Sequence, residues 1–204
     1  MNQPDQQDKI RALEDEIARL KSALEARESE ISTLKAMVDQ DMFLPLLNRR
    51  AFDREFTRAW SAAKRYKFPV SLIYIDLDNM KQINDEFGHE AGDKALREVA
   101  KVLLENCRQS DLTGRLGGDE FGVLMMQADA GAAQRKAAEL AQLVAETQIN
   151  TQSRRISLSV SYGVAGGAGD GSVSAIIRTA DRRMYEMKQS GGRDSPEYQS
   201  GPRR

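Results

Sequence analysis

From Ile10 onward the chain repeats at alternating steps of three and four: Ile10, Leu13, Ile17, Leu20, Leu24, Arg27, Ile31, Leu34 and Val38. Ile10, Ile17, Leu24, Ile31 and Val38 fall at heptad position a, and Leu13, Leu20, Arg27 and Leu34 at d. β-branched residues at most a positions with Leu at d favour two parallel strands. The apolar stripe is narrower than a helix packed on its own domain requires. At 1.5 Å per residue the predicted coiled-coil helix is roughly 45 Å long. Arg27 interrupts the seam, lowering stability while fixing register.

The pattern changes after Val38. Residues 39–50 form a junction in which Pro45 would interrupt any continuing helix. A helix over about Arg50 to Tyr66 places Phe52, Phe56, Ala59, Trp60 and Ala63 on one face. Pro69 to Asp76 reads as a strand apolar on both faces. A helical stretch from Asn79 to Phe87, a loop over Gly88 to Asp93 and a helix over Lys94 to Asn106 follow. The apolar runs Leu112 to Leu116 and Phe121 to Met126 flank Gly117-Gly118-Asp119-Glu120, which predicts a β-hairpin. A helix over Ala132 to Glu146, a strand over Ile156 to Val164 and a helix over Val173 to Gln189 complete the set. The tail from Gly191 is expected to fray. Strands mixed with packing helices imply an α+β fold, helices covering an antiparallel or mixed sheet. The expected organisation is a disordered N-terminus over 1–8, a parallel dimeric coiled coil over 9–40, a globular domain over 41–193 and a flexible tail over 194–204.

Composition narrows the class. The 204 residues carry a net charge of −1, so no bulk basic character points to nucleic acid. One cysteine, Cys107, excludes an internal disulfide and fits a reducing compartment. No apolar run is long enough to span a membrane, and Met1 to Lys9 lacks the shape of a signal peptide. A cytoplasmic protein is expected.

The chemistry gathers at two turns. Asp76 ends a predicted strand, and Asp119 and Glu120 occupy the hairpin turn. If the strands pair, these carboxylates meet, and clustered hard oxygens suit Mg²⁺ shared with phosphate. Taken singly, each reads as an exposed acidic loop residue. Gly117 and Gly118 let a bulky ligand approach the backbone. Leu77-Asp78-Asn79-Met80-Lys81 passes from strand to helix, so the amides of Asn79 and Met80 can receive phosphate. Lys81 can add positive charge toward a phosphoryl transition state, or be an ordinary solvated lysine.

Asp76-Leu-Asp-Asn-Met-Lys-Gln-Ile-Asn84-Asp-Glu-Phe-Gly88-His89-Glu-Ala-Gly92-Asp93, followed by Arg-Leu-Gly-Gly-Asp-Glu-Phe, resembles the GGDEF family of diguanylate cyclases. The runs Ser159-Val-Ser-Tyr-Gly163-Val-Ala and Ala180-Asp181-Arg-Arg-Met-Tyr185-Glu-Met-Lys188 fit the same family. The resemblance covers about Asp41 to Arg193. It implies a palm-like sheet, similar to adenylyl cyclases, and a homodimer that joins two GTP into cyclic di-GMP and two pyrophosphates. Asp76, the carbonyl of Leu77, and Asp119 resemble the metal positions for Mg²⁺, or Mn²⁺ in its place, with Glu120 assisting. Asp119 also resembles the acceptor of the 3′-hydroxyl proton, and Lys81 the transition-state stabiliser. Asn84, His89 and Asp93 resemble substrate positions, with Asn84 and Asp93 on the guanine. A carboxylate accepts guanine's two parallel donors, which adenine lacks. Asp93 would also suit the N-cap of a helix starting at Lys94, and His89 a loop satisfied by backbone groups. Arg108-Gln109-Ser110-Asp111 resembles the inhibitory Arg-x-x-Asp site for the product. The competing reading is a helix-end cation followed by a turn aspartate.

Three departures stand out. Leu44 and Pro45 replace the family's Thr-Gly in the turn ahead of the domain. The closing motif, Lys188-Gln-Ser-Gly-Gly-Arg193-Asp194, carries one extra residue between Lys188 and Arg193, the two candidates for the GTP phosphates. No recognisable sensor domain precedes the coiled coil. The rival functions are a non-catalytic cyclic di-GMP receptor, a coiled-coil interaction protein, and a cyclase of mixed nucleotide preference.

Overall fold

A computed structural model describes residues 11, 13, 16–27, 38–151, 154–169 and 171–191. The chain divides into two compact units, Met1–Gln40 and Asp41–Arg204. The expectations for residues 1–8 and 194–204, for Arg193, and for the seam positions Ile10, Ile31 and Leu34 fall outside the described residues.

In the first unit, residues 16–27 are helical (α1). Leu13, Ile17, Leu20 and Leu24 are each at least half exposed. Among the described residues, these seam positions are therefore uncovered in the single chain.

The second unit runs β1 (Leu47–Asn48), α2 (Arg49–Tyr66), β2 (Val70–Leu77), α3 (Met80–Phe87), α4 (His89–Asn106), β3 (Leu112–Arg115), β4 (Glu120–Met126), α5 (Ala130–Glu146), β5 (Gln148–Asn150), β6 (Arg155–Ser157), β7 (Val160–Gly167) and α6 (Val173–Gly191). Asn48 caps α2 by accepting from the Ala51 amide at 3.0 Å, and Asp129 caps α5 through Ala132 at 2.7 Å. The main sheet has the order β1-β3-β4-β2-β7, mixed because β1 runs parallel to β3 while the other pairs are antiparallel.

Burial on both faces follows from the apolar run in β2. Ile73, Ile75 and Leu77 join a core with residues of α3, α4 and α5. Leu72 and Tyr74 face the other way, against Phe52, Phe56 and Trp60 of α2 and Ala180 and Met184 of α6. Two layers of helix thus cover a central sheet, the palm-like α+β architecture the resemblance implies.

Two local expectations are corrected. The stretch Gly88 to Asp93 is helix from His89 onward, not loop. Gly88, at φ 81°, separates α3 from α4 and occupies the N-cap position, so Asp93 is not a cap. The expected strand over Ile156 to Val164 is broken. Arg155–Ser157 pairs with Gln148–Asn150 as a separate ribbon, and Val160–Gly167 joins the main sheet beside β2. At the break, the Ser159 carbonyl accepts from the Asp78 amide at 2.9 Å, tying the chain to the end of β2 instead of continuing the ribbon.

Candidate active site

The β2–β4 register gathers the carboxylates. Asp76 lies directly opposite Glu120, and the Leu77 amide donates to the Asp119 carbonyl at 3.0 Å. The convergence lies at the end of two central strands rather than on an edge strand. Asp76 is buried, and Lys188 from α6 donates to its Oδ1 at 2.5 Å. Burial pushes the Asp76 carboxyl above its ordinary range. Lys188 opposes that rise, and the charges of Asp119 and Asp78 add to it. Burial also works against the Lys188 ammonium. The hydrogen bond to Asp76 and the charges of Asp76, Asp119 and Asp78 outweigh it, so Lys188 is raised and held charged. The two directions pull on the pair differently. The Lys188 ammonium faces all three carboxylates.

Beyond β2 the chain turns sharply into α3. Asn79 adopts a left-handed conformation at φ 57°, which Asn tolerates better than most residues, and its carbonyl accepts from Ile83 at 2.9 Å. The Asp78 carboxylate accepts from the Ser161 hydroxyl at 2.7 Å, fastening the turn to β7. Lys81 is exposed on the first turn of α3, beside the amides of Asn79 and Met80. Among the described residues it makes no ion pair.

Asn84 presents the clearest sign of a missing ligand. Its Oδ1 is the one buried side-chain polar atom among the described residues without a hydrogen-bond partner. An unpaired buried acceptor costs about 1–3 kcal/mol, which a ligand donor would recover. A Cβ on Gly92 would stand 2.1 Å from that oxygen, so only glycine lets α4 approach the Asn84 amide this closely. The next residue, Asp93, is half-buried on α4, and His89 is exposed at its first position.

The hairpin turn is held from outside. Arg115 donates to the carbonyl of Gly117 at 3.1 Å and to that of Gly118 at 2.7 Å, and pairs with Asp41 at 3.2 Å. Asp41 also accepts from the amides of Phe43 and Leu44, each at 3.0 Å. Leu44 and Leu46 are buried, so the turn closes without the family's Thr-Gly. Phe43 stacks against Arg97 at 4.4 Å and Arg115 at 5.8 Å. This cluster was not legible in the sequence. Asp41 and Arg115 are 74 positions apart, outside any periodic pattern.

Arg108 and Asp111 have different surroundings. Asp111 is buried and accepts from the amides of Arg108 and Met126, both at 3.2 Å, which closes the turn after α4. Arg108 has an exposed side chain.

Among the described residues no group of three or more His, Cys, Asp or Glu side chains is gathered to hold a metal unaided. The donor set nevertheless fits Mg²⁺, which needs one or two carboxylates and completes its shell with water and substrate phosphate. The mutual repulsion of Asp76, Asp78 and Asp119 marks a place where a cation is favoured.

Comparison with known proteins agrees with this geometry. The family described as "Diguanylate cyclase, GGDEF domain" matches residues 38–194. Diguanylate cyclase DosC of Escherichia coli K12 is 36% identical over 155 residues, which is 76% of this chain. The chain spans only 34% of that relative's length. The coiled coil and GGDEF domain of DgcB from Caulobacter crescentus, solved with c-di-GMP, superposes with a TM-score of 0.76 at 26% identity, covering 88% of this chain and 95% of that one. The diguanylate cyclase SiaD from Pseudomonas aeruginosa, solved with its activator SiaC, gives 0.81 at 26% identity, covering 92% of this chain and 72% of that one. This chain belongs to the GGDEF-domain family of diguanylate cyclases.

Proposed function

We propose that this protein condenses two GTP into cyclic di-GMP, releasing two pyrophosphates. The observation that carries this is the register that sets Glu120 opposite Asp76 and Asp119 beside Leu77. Asp76, Asp119 and the Leu77 carbonyl would hold a divalent cation, Mg²⁺ or Mn²⁺, with Glu120 alongside. When bound, that cation neutralises charge on the phosphates. Asp119 takes the proton of the 3′-hydroxyl as its oxygen forms the bond to the α-phosphorus of the opposite GTP, and the α–β anhydride bond breaks toward pyrophosphate. Lys81, without an ion pair among the described residues, would face the developing negative charge. Lys188 neutralises Asp76 in the nucleotide-free protein, and substrate phosphates offer its ammonium another anion; Arg193 is the second candidate there. The amides of Asn79 and Met80 and the open turn at Gly117 and Gly118 receive the phosphates. Asn84 and Asp93 take the guanine donors, and the unpaired Asn84 oxygen supports that role, with His89 at the pocket's rim.

The reaction needs two half-sites facing each other, and a parallel seam along α1 would supply the two-fold axis. The exposed Leu13, Ile17, Leu20 and Leu24 support a homodimer. Product feedback through Arg108 rests on its exposure and its Arg-x-x-Asp spacing to Asp111; the related DgcB structure was solved with c-di-GMP. Asp111 would act there by shaping the turn that presents Arg108.

The test is incubation of the purified protein with GTP and Mg²⁺, reading products by mass, beside Asp119→Ala. Cyclic di-GMP from the wild type alone is expected. No product from the wild type, with cyclic di-GMP still bound, would refute the cyclase in favour of a receptor.

A further inference from the structure

The β5–β6 ribbon stands outside the main sheet, and the site described above makes no use of it. Ile149 and Ile156 pair across it, and both are buried in the same core as Leu96 and Val99 of α4. Thr151 closes its turn. The Thr151 amide and hydroxyl donate to the Arg154 carbonyl at 2.9 and 2.7 Å, and the hydroxyl oxygen accepts from the Arg154 amide at 3.1 Å. The ribbon is thus a fixed frame that presents Arg154. Arg154 pairs with Glu86 of α3, and its guanidinium lies over the Phe87 ring, 4.8 Å from the centroid. Nearby, the Lys94 ammonium of α4 donates to the Asn150 carbonyl of the ribbon at 3.1 Å. A cleft of about 460 Å³ opens between the helices and the ribbon, lined by Phe87, Glu90, Ala91, Lys94 and Asn150 among others. Long side chains therefore carry the contact here.

These contacts fall beside the two residues assigned above to the base. Glu86 and Phe87 follow Asn84 closely on α3, and Lys94 follows Asp93 on α4. Gly88 alone joins α3 to α4, at φ 81°. A one-residue glycine joint does not by itself fix the angle between two helices. We propose that Arg154 is a positioning residue for the base pocket. With Lys94 it ties α3 and α4 to one ribbon, and so holds Asn84 and Asp93 at the spacing that a single purine edge requires. The role deepens the cyclase reading and rests on it for the identity of the base. An ion pair at the surface would hold little by itself. The Arg154 guanidinium is also stacked on Phe87, which packs against the main core, so the contact is fixed in two directions. A lysine would keep the charge without the planar face.

The experiment compares wild type, Arg154→Ala, Arg154→Lys, Lys94→Met, Asn84→Ala and the double variant Arg154→Ala with Asn84→Ala. Calorimetry measures binding of a GTP analogue that cannot be cleaved between the α- and β-phosphates, and product formation gives kcat and KM. Arg154→Ala is expected to raise Kd and KM about three- to tenfold, with kcat and Tm little changed. Arg154→Lys should recover part of that loss. Lys94→Met frees α4 from the ribbon and should weaken binding in the same direction. In the Asn84→Ala background, Arg154→Ala should cost less, because the group it positions is already gone. Unchanged Kd and KM in both Arg154→Ala and Lys94→Met overturns the role. So does an equal loss with and without Asn84, or a fall in kcat at unchanged KM. Wild type that binds the analogue but makes no cyclic di-GMP overturns the cyclase proposal, while weaker binding by Arg154→Ala still upholds the positioning role. Wild type that binds no analogue overturns both.

Discussion

The unpaired oxygen of Asn84 makes a quantitative prediction for Asn84→Ala. In the nucleotide-free protein the buried carbonyl costs about 1–3 kcal/mol, and Ala is the better helix former at this position in α3 by about 0.5 kcal/mol. Against these gains stands the space left beside Gly92, which removes about 1 kcal/mol. The balance is a gain of about 0.5–2.5 kcal/mol, or roughly 1–10 °C in Tm for a domain of this size. GTP should respond in the opposite sense. Losing one acceptor for a guanine donor weakens binding by about 1.4–2.8 kcal/mol, a ten- to hundredfold rise in Kd. Thermal unfolding and calorimetric GTP titration at one protein concentration measure both. Adding Gly92→Ala to Asn84→Ala refills the space and should raise Tm further. A fall in Tm on Asn84→Ala would show that the oxygen is already paired without nucleotide. An unchanged Kd would remove Asn84 from the base pocket. Either result refutes the reasoning.

Four further outcomes are expected. Ile17→Lys with Leu20→Lys places charge on the bare stripe of α1, so specific activity should fall steeply on dilution; constant activity at nanomolar protein would exclude the seam as the dimer contact. Asp76→Asn should abolish product formation yet raise the metal-free Tm at pH 7. The carboxyl lies above its ordinary range even with Lys188 attached, so the folded protein holds that proton more tightly than the unfolded chain, and ionisation costs stability. The difference in Tm should close as the pH falls below the ordinary carboxyl value of 3.8, and a lower Tm for the variant at pH 7 would contradict the assignment. Arg108→Ala should remove inhibition by cyclic di-GMP at unchanged Tm, whereas Asp111→Ala should lower stability by about 1–3 kcal/mol by stranding the amides of Arg108 and Met126; equal inhibition of wild type and Arg108→Ala would exclude this residue as the feedback site.

The legible parts of the fold were those where local pattern and tertiary need coincide. The apolar run of β2 could only be a buried strand, and the two runs around Gly117 and Gly118 could only turn back on each other. The stretch after Gly88 misled because Gly92 looks like a loop residue. Its real cause is the approach of the Asn84 amide from another helix, which no local signal carries. The strand around Ser159 misled for a similar reason, since the break is made by a hydrogen bond to Asp78 across the sheet. At the site, sequence supplied the carboxylates and lysines, but their meeting depended on a register that only pairing fixes. The contact that braces the turn, Asp41 with Arg115, joins distant positions and left no spacing to read.

The seven-pair ladder from Val70↔Met126 to Asp76↔Glu120 also constrains how this protein can change over generations. Side chains alternate with a period of two, so slipping β4 by one residue would turn Glu120 into the core beneath α3, α4 and α5 and Phe121 toward the side of Asp76. Exchanging one turn residue for another leaves that phase intact. A single codon gained or lost between Gly117 and Met126 shifts it for every residue beyond the change. Lineages descending from this chain should therefore accept spelling changes in the turn far more readily than changes in its length.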